Sequence, residues 1–470
     1  MPQLIALAFW FAATWLIWRD TRSREGISSA LWIPTLWAAI LLSRSLSAWL
    51  GVGGGAGGVD SQEGSPLDRL FYFASILASI ALLIRRRLNW GALLSSNWPL
   101  FLVYGYFLVS VVWADSPVVS FKRWFKDIGN VFVALVILTE SNPLQAVRAV
   151  FVRSAYVLIP LSEIFLRYFP YLGRRYSNHS GGLEPIGVTM QKNSLGALVV
   201  VAGLVLVWDW LERATDGRQR MQLPERLWRA GVLLVGVRLL YLCDSKTSIL
   251  CFVIGLVILL SIRMPGLRSR VSKMGVYSLG AVVVAFMLDQ AFGLSEFVVA
   301  AMGRDMTFTG RTEVWAVLLG LRTDPLFGTG FYSFWSDEYY LAQLPDWVAF
   351  SAHNGYLETY LDGGLFGVLL LSLMLVVLAW RTNRQLGAAG NFALFRFTVL
   401  VVTLIANFSE SHFFRMSPLA FLLFVSTLDA TTHPGRVLRS AGTVLRERAG
   451  SMAASPVRRP SGLTEGRPSG

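Results

Sequence analysis

The sequence predicts an all-α polytopic membrane protein of about 12–13 transmembrane helices, with a large helical loop on one face before the last three. Three observations carry this. Of 470 residues, 54% are hydrophobic and only 15% charged, where soluble proteins carry about 25% charged residues. The apolar residues fall in blocks approaching the roughly 20 that cross a bilayer as a helix. Basic side chains outnumber acidic ones 42 to 29, a formal net charge of +13, and they are spread unevenly among the connections between blocks. These features exclude a disordered chain, a collagen and a disulfide scaffold. They assign the excess charge to loops facing anionic lipid rather than to a nucleic-acid groove.

Thirteen apolar segments are read, near 3–18, 28–50, 69–84, 95–113, 127–139, 149–170, 193–211, 229–242, 247–262, 275–293, 361–380, 396–409 and 416–430. Basic residues concentrate on the cytoplasmic side of membrane proteins. With the C-terminal tail inside, the inner connections hold 26 Lys plus Arg and the outer ones 12. Residues 1–430 are therefore expected to form the transmembrane helical domain, including an outer loop at 294–360. The basic tail 431–470, rich in Arg, Ser, Gly and Pro, is expected to be disordered and cytoplasmic. The N-terminus lacks the basic start and small-residue cleavage site of a secretory signal. The run Gly53-Gly54-Gly55 has no phosphate-loop Lys-Ser/Thr and reads as an outer linker. Cys243 and Cys251 imply no disulfide framework. The four histidines are scattered, and neither a metal site nor a cofactor is expected.

The outer face carries the chemistry. The loop 294–360 holds Trp315, Phe331, Phe334, Trp335, Tyr339, Tyr340 and Trp347, and a stretch this long with such residues is expected to fold as a small cap. It contains a helix from about Arg311 to Leu321, then a turn at Asp324-Pro325 and glycines at Gly328 and Gly330. The outer cations cluster: Arg123 with Lys122 and Lys126, Arg174 and Arg175, Lys192, Lys246 and Arg311. Several stand at segment starts, where unpaired backbone N–H groups and the helix dipole also favour anions. Such convergence at a membrane surface suits a lipid phosphate or pyrophosphate. His353 immediately precedes a helical pattern beginning Asn354-Gly355-Tyr356-Leu357-Glu358. A helix N-terminus disfavours imidazolium, and a neutral imidazole can accept a proton from a hydroxyl.

These residues together resemble the O-antigen ligase and polymerase superfamily, which includes exopolysaccharide polymerases. The shared pattern is a large outer loop ending in a His, then ten residues, then a Gly; here it runs from His353 to Gly364. Gly310-Arg311-Thr312-Glu313-Val314-Trp315 and Phe327-Gly328-Thr329-Gly330 are similar to the family's loop helix and glycine turn. Lys192-Asn193-Ser194-Leu195-Gly196 and Ser245-Lys246-Thr247-Ser248 are similar to two earlier signatures. The resemblance covers roughly residues 110–430.

It implies a metal-independent, inverting glycosyltransferase in the bacterial inner membrane, multi-pass, with its active site facing the periplasm. The implied donor is a glycan on undecaprenyl pyrophosphate. The acceptor is a sugar hydroxyl on a lipid core or another glycan, in lipopolysaccharide or exopolysaccharide synthesis. Membrane lipids are the remaining partners, and no nucleic acid is expected. His353 is the implied catalytic base. Arg311, Lys246 and Lys192 take the pyrophosphate-binding role by motif, and Arg174, Arg175 and Arg123 by topology. Asn354, Glu313 and Gly364 are supporting residues. Stabilising the leaving pyrophosphate replaces a general acid, in keeping with the lack of a glycosidase-type carboxylate pair. The competing class is a lipid or polysaccharide transporter, which would need a polar path at the bilayer midplane. Charges inside segments are few, Glu163, Arg167, Arg238 and Asp289 among them, with Arg44 and Arg153 also lying inside segments.

Overall fold

The computed structural model describes residues 2–23, 26–52, 65–176, 181–215, 221–261, 311–345, 348, 351–386 and 390–430. The helices, in chain order, are α1 (Pro2–Ser23), α2 (Trp32–Leu41), α3 (Leu46–Leu50), α4 (Pro66–Arg85), α5 (Trp90–Ser96), α6 (Trp98–Ser110), α7 (Pro117–Leu138) and α8 (Pro143–Tyr168). After a two-stranded hairpin, β1 (Arg174–Tyr176) and β2 (Leu183–Pro185), come α9 (Lys192–Thr215), α10 (Leu223–Cys243) and α11 (Lys246–Ser261). The loop helix α12 (Arg311–Gly320) precedes α13 (Gly355–Gln385), α14 (Gly390–Ala406) and α15 (Pro418–Thr427). The chain is thus an all-α polytopic membrane protein. The expected segment 275–293 and the tail 431–470 lie outside the described residues.

Four of these helices are long and apolar enough to cross a membrane: α4, α8, α9 and α13. A fifth span forms if the bent pair Trp90–Ser96 and Trp98–Trp113 counts as one, and there are shorter apolar helices of 10–17 residues besides. Two expected spans are broken. The 28–50 segment stops at Leu41 and restarts at Leu46. The 95–113 segment bends by 93° beside Asn97, whose side chain donates to the Leu93 carbonyl and that of Asp429. In both places short polar residues offer the backbone other hydrogen bonds and end the helix. Helix starts are written locally. Ser65-Pro66, Asn142-Pro143 and Ser417-Pro418 each place a capping side chain before a proline, and each cap accepts a backbone N–H three residues on, the arrangement that satisfies a helix N-terminus.

Burial separates centre from periphery. Within their most apolar windows, α8 and α9 are 67% and 72% buried, whereas α4 and α13 are 22% and 28% buried. The outer helices therefore turn apolar side chains such as Leu70, Phe73, Leu369 and Val376 outward, as lipid-facing surfaces require. Where charges enter the centre they are paired. Asp209 of α9 is fully buried, 2.6 Å from Arg229 of α10 and 3.0 Å from Arg148 of α8.

The described residues between α12 and α13 pack into a small core of their own. Leu318, Phe334, Trp335, Val348 and Ala352 pack with Leu361 of α13 into a separate small core. What joins this cap to the bundle is a break in α13. At Gly364 the backbone leaves the helix, with φ +59° and ψ −159°. The residues around the break lose helical partners, and the loop replaces them. The amides of Leu365 and Phe366 donate to the carbonyls of Pro325 and Leu326, at 2.9 and 3.1 Å. The amides of Thr329 and Gly330 donate to those of Leu361 and Asp362, at 2.9 and 3.0 Å. Tyr106 of α6 caps the Gly363 carbonyl at 2.6 Å. The approach is so close that a Cβ at Gly364 would lie 2.3 Å from the Leu326 carbonyl carbon, and one at Gly328 2.6 Å from Gly363 N.

Gly364→Ala is therefore expected to destabilise the protein by about 2–4 kcal/mol, from positive φ and backbone overlap together. Thermal unfolding in detergent checks this; an unchanged midpoint would mean the loop does not depend on the break.

Candidate functional site

The site is assembled where the end of the outer loop meets the connection between α14 and α15. His353 sits two residues before α13, in the left-handed region at φ +47°. This conformation is uncommon outside glycine and persists only when neighbours enforce it. The enforcement is visible. Asn354 caps α13, its Oδ1 accepting the amides of Tyr356 and Leu357 at 3.0 and 3.1 Å. Before it, the His353 amide donates to Ser351 Oγ at 3.1 Å, and the Ala352 amide to Glu358 Oε1 at 2.8 Å. Trp315 of α12 donates to the Ala352 carbonyl at 2.8 Å.

Glu358, in the first turn of α13, is the hub of these contacts. Its Oε1 also accepts from Ser351 Oγ, and its Oε2 from Trp335 Nε1 at 2.8 Å and Arg415 Nη2 at 3.0 Å. Arg415 reaches Asp362 Oδ2 as well, at 2.8 Å, and its guanidinium lies 3.7 Å from the centre of the Tyr332 ring. Burial disfavours the Arg415 charge, but Asp362, Tyr332 and Glu358 outweigh it and hold its pKa above the ordinary value. The triad ties the loop, the start of α13 and the α14–α15 connection into one unit.

That connection supplies the carboxylate facing His353. Glu410 Oε2 is 3.4 Å from His353 Nδ1, and its Oε1 accepts from Arg311 Nη2 at 2.8 Å and Asn193 Nδ2 at 2.7 Å. The Gly355 amide donates to the carbonyls of both Asn407 and Glu410, at 2.8 and 3.1 Å. A Cβ at Gly355 would meet Asn407 Oδ1 at 2.0 Å, so glycine permits this close docking. Asn407 in turn accepts the amides of His412 and Phe413. Burial raises the pKa of Glu410, but the His353 hydrogen bond and the charges of His353, Arg311 and His412 outweigh it, so the carboxyl titrates below its ordinary value. A carboxylate hydrogen-bonded to one imidazole nitrogen orients the ring and leaves the other nitrogen for chemistry.

Arg311 heads α12 as the sequence pattern predicts and meets His353 across Glu410. The remaining predicted cations are placed differently. Lys192 and Lys246 are the first residues of α9 and α11, paired with Glu184 and Asp244 at 2.6 and 2.8 Å. From the Lys192 signature it is Asn193 that reaches Glu410. Arg174 and Arg175 are exposed on β1. Arg123 donates to the Tyr332 carbonyl at 2.7 Å and stacks on that ring, holding the loop. Glu313 is exposed in the first turn of α12. Gly364 marks the break in α13. Sequence reasoning missed Glu410, Glu358, Asp362 and Arg415. Glu410 and Arg415 share one short connection between apolar runs, but nothing in the sequence links that connection to His353 or Glu358.

Beside Glu410 lies a cavity of about 340 Å³ whose wall includes Asn193, Thr247 and His412. His353 held by a carboxylate, a nearby arginine and a polar cavity form one constellation.

Comparison with known proteins bears on the same region. Residues 230–372 match the family model described as O-antigen ligase. The chain is also 24% identical over 282 residues to "Exopolysaccharide production protein ExoQ" of Rhizobium meliloti (strain 1021), covering 57% of this chain and 61% of that protein. Together these matches support the O-antigen ligase and polymerase superfamily. The chain thus spans less than two thirds of that relative's length. The family match runs through Lys246, Arg311, His353 and Gly364 and stops before Glu410.

Arg415→Met is expected to leave Glu358 and Asp362 buried without a cation and to cost about 3–5 kcal/mol, read as a lowered unfolding midpoint in detergent. Glu410 makes a second prediction. Its folded pKa lies below the unfolded one, so its contribution is fully present above about pH 4.3 and is lost as pH falls through the folded value. The stability difference between the wild type and Glu410→Gln should be constant near neutrality and shrink only in that acid range. A difference that vanishes by pH 6 would refute the arrangement.

Proposed function

We propose that this protein is a membrane glycosyltransferase of surface polysaccharide synthesis. It moves a glycan from a polyprenyl pyrophosphate, of undecaprenyl type, to a sugar hydroxyl at the periplasmic face of the bacterial inner membrane. The observation that carries this reading is His353 held against Glu410, with Arg311 on the same carboxylate, at the junction of the loop and the bundle.

His353 Nδ1 faces Glu410, leaving Nε2 to take the proton from the acceptor hydroxyl as its oxygen attacks the anomeric carbon. A new C–O bond forms there as the bond to the pyrophosphate breaks. The electron pair leaves with the polyprenyl pyrophosphate, and attack opposite the leaving group inverts the anomeric centre. Arg311, with Lys246, Lys192, Arg174, Arg175 and Arg123 around the outer face, stabilises the charge that develops on the pyrophosphate. Such a leaving group needs no general acid, so Glu313 and Glu410 need not donate a proton. Glu410 is a positioning residue: it fixes the imidazole and balances the positive charge that His353 acquires.

His353→Ala is expected to abolish transfer while membrane insertion persists; full activity in that variant would sink the base assignment. Arg311→Ala should impair donor use more than acceptor use, and the reverse kinetic pattern would refute its role. The decisive assay supplies purified protein with a lipid-linked glycan donor and follows formation of a new glycosidic bond. A transporter would move substrate between compartments and form no such bond. Adding a lipid-core acceptor to parallel reactions distinguishes ligation from polymerisation.

A further inference from the structure

The turn that docks on the break in α13 joins exposed apolar side chains to a backbone that needs no water. Leu326 and Phe327 are 48% and 44% exposed. Yet each amide from Leu326 to Gly330 donates within the protein. Those of Leu326 and Phe327 donate to Asp324 Oδ1 at 2.8 and 2.9 Å, and that of Gly328 to the Asp324 carbonyl at 3.0 Å. Those of Thr329 and Gly330 go to α13. The carbonyls at the tip are also engaged. Those of Pro325 and Leu326 accept from α13, and that of Phe327 accepts the Tyr106 hydroxyl at 3.2 Å. Pro325 has no amide to satisfy. Water completes the hydrogen bonds of a solvated turn, so such internal pairing is not required there. Within bilayer hydrocarbon it is required, because an unpaired backbone group has no partner in lipid.

The register on α13 gives the depth. Beyond the break, α13 exposes Leu365, Leu369, Leu373, Val376 and Trp380, spaced by three and four residues and therefore on one face. This is the stripe that a span turns to lipid. Its far end is marked by Trp380, whose ring centre lies 4.7 Å from the Arg384 guanidinium, an aromatic and a snorkelling cation at headgroup level. From Trp380 back to Leu365 the helix rises ~22 Å, whereas the hydrocarbon layer is ~30 Å thick. Leu365 therefore stands roughly 7 Å inside the nearer boundary, and any tilt of the helix places it deeper.

The turn is bonded at that level. The Pro325 carbonyl meets Leu365, the Leu326 carbonyl meets Phe366, and the Phe327 ring stacks on that of Phe366 with centres 5.2 Å apart. Trp113 packs edge-on against the Phe327 ring at 6.0 Å. Three residues on, Thr329 and Gly330 meet Leu361 and Asp362, a helical turn nearer the surface. The chain thus descends to Leu326 and Phe327 and climbs again. The exposed charged residues Arg322 and Asp324 precede the descent.

We propose that residues 325–328 form a re-entrant turn, and that Leu326 and Phe327 insert among the lipid acyl chains of the leaflet on the loop's side. The partner is lipid hydrocarbon, continuous with the stripe on α13. The loop that carries Arg311 and leads to His353 is thereby tied to the bilayer as well as to the helix. This anchoring is independent of the reaction the site performs.

Spin-label accessibility in phosphatidylcholine nanodiscs tests it. The full chain carries Cys243→Ser and Cys251→Ser, so that one introduced cysteine takes the label. A label at Leu326→Cys should collide readily with oxygen, which partitions into hydrocarbon, and poorly with a water-soluble nickel chelate. It should match a label at Val376→Cys on the lipid stripe. A label at Glu338→Cys, exposed on the short helix Glu338–Leu341 of the loop, should show the opposite preference. Chelate access at Leu326 equal to that at Glu338 would overturn the immersion. Exclusion of both reagents would mean that another protein chain covers the turn, and would overturn the lipid assignment. The unsubstituted protein gives a second reading that no folding defect can confuse. With a phosphatidylcholine carrying a diazirine high in its acyl chain, light should label the peptide that contains Leu326 and Phe327. Labelling of the α13 stripe without labelling of this peptide would overturn the proposal.

Discussion

The architecture around His353 depends on one buried carboxylate. Glu358 stands a single turn inside α13 at 2% exposure, and burying an ionised group is affordable only when its lone pairs are filled. They are filled from four directions: the chain before His353, Trp335 of the loop, Ser411 and Arg415. Each partner comes from a segment that would otherwise be free to move. The same contacts that offset desolvation therefore fix where the loop ends. His353 inherits its position, including its left-handed backbone, from this hub. Removing the hub would leave the His353 ring chemically intact, yet it would release the peptide that carries it.

The break in α13 is the complementary constraint. A continuous helix would satisfy its own backbone and offer the loop nothing to bind. By departing from helical geometry at Gly364, α13 exposes two carbonyls and two amides, and the 325–330 segment is held by all four. The spacing between His353 and Gly364 then has a physical meaning. It is about three helical turns, with His353 at one end and the loop's anchor at the other. Both ends of the loop's return path are thereby pinned to the same short piece of helix.

Much of this was legible in the residues. Apolar blocks, Ser-Pro and Asn-Pro starts, and aromatic residues in the loop announced the helices and the folded cap. His353, Arg311 and Gly364 were readable because they sit at the edges of local patterns. The rest was hidden for a consistent reason. Glu358 looks like an ordinary first-turn acid of an amphipathic helix, and only tertiary contacts reveal its burial. Glu410 is 57 residues from His353 in the chain, and no periodicity links them. Lys192 drew attention by its charge, whereas its uncharged neighbour Asn193 makes the contact with Glu410. The breaks at 42–45 and at Asn97 escaped because hydropathy counts apolar residues and ignores hydrogen bonds that a Ser or Asn offers the backbone.

The position of Glu410 also shows where the working unit ends. The matched family segment closes at residue 372, yet the carboxylate that holds His353, the arginine that neutralises Glu358 and Asp362, and the asparagine that docks on Gly355 all lie between 407 and 415. This connection is short, and its two ends continue directly into α14 and α15. The Glu410 carboxylate can hold the imidazole only as steadily as those two helices hold the connection. α15 packs against α7 and α14, and nine of its ten residues are buried, so the anchor reaches the centre of the bundle. A segment ending after the first half of α13 would contain His353 without the carboxylate that faces it. The last two helices therefore hold part of the candidate site in place, although they carry no residue of the recognised motifs.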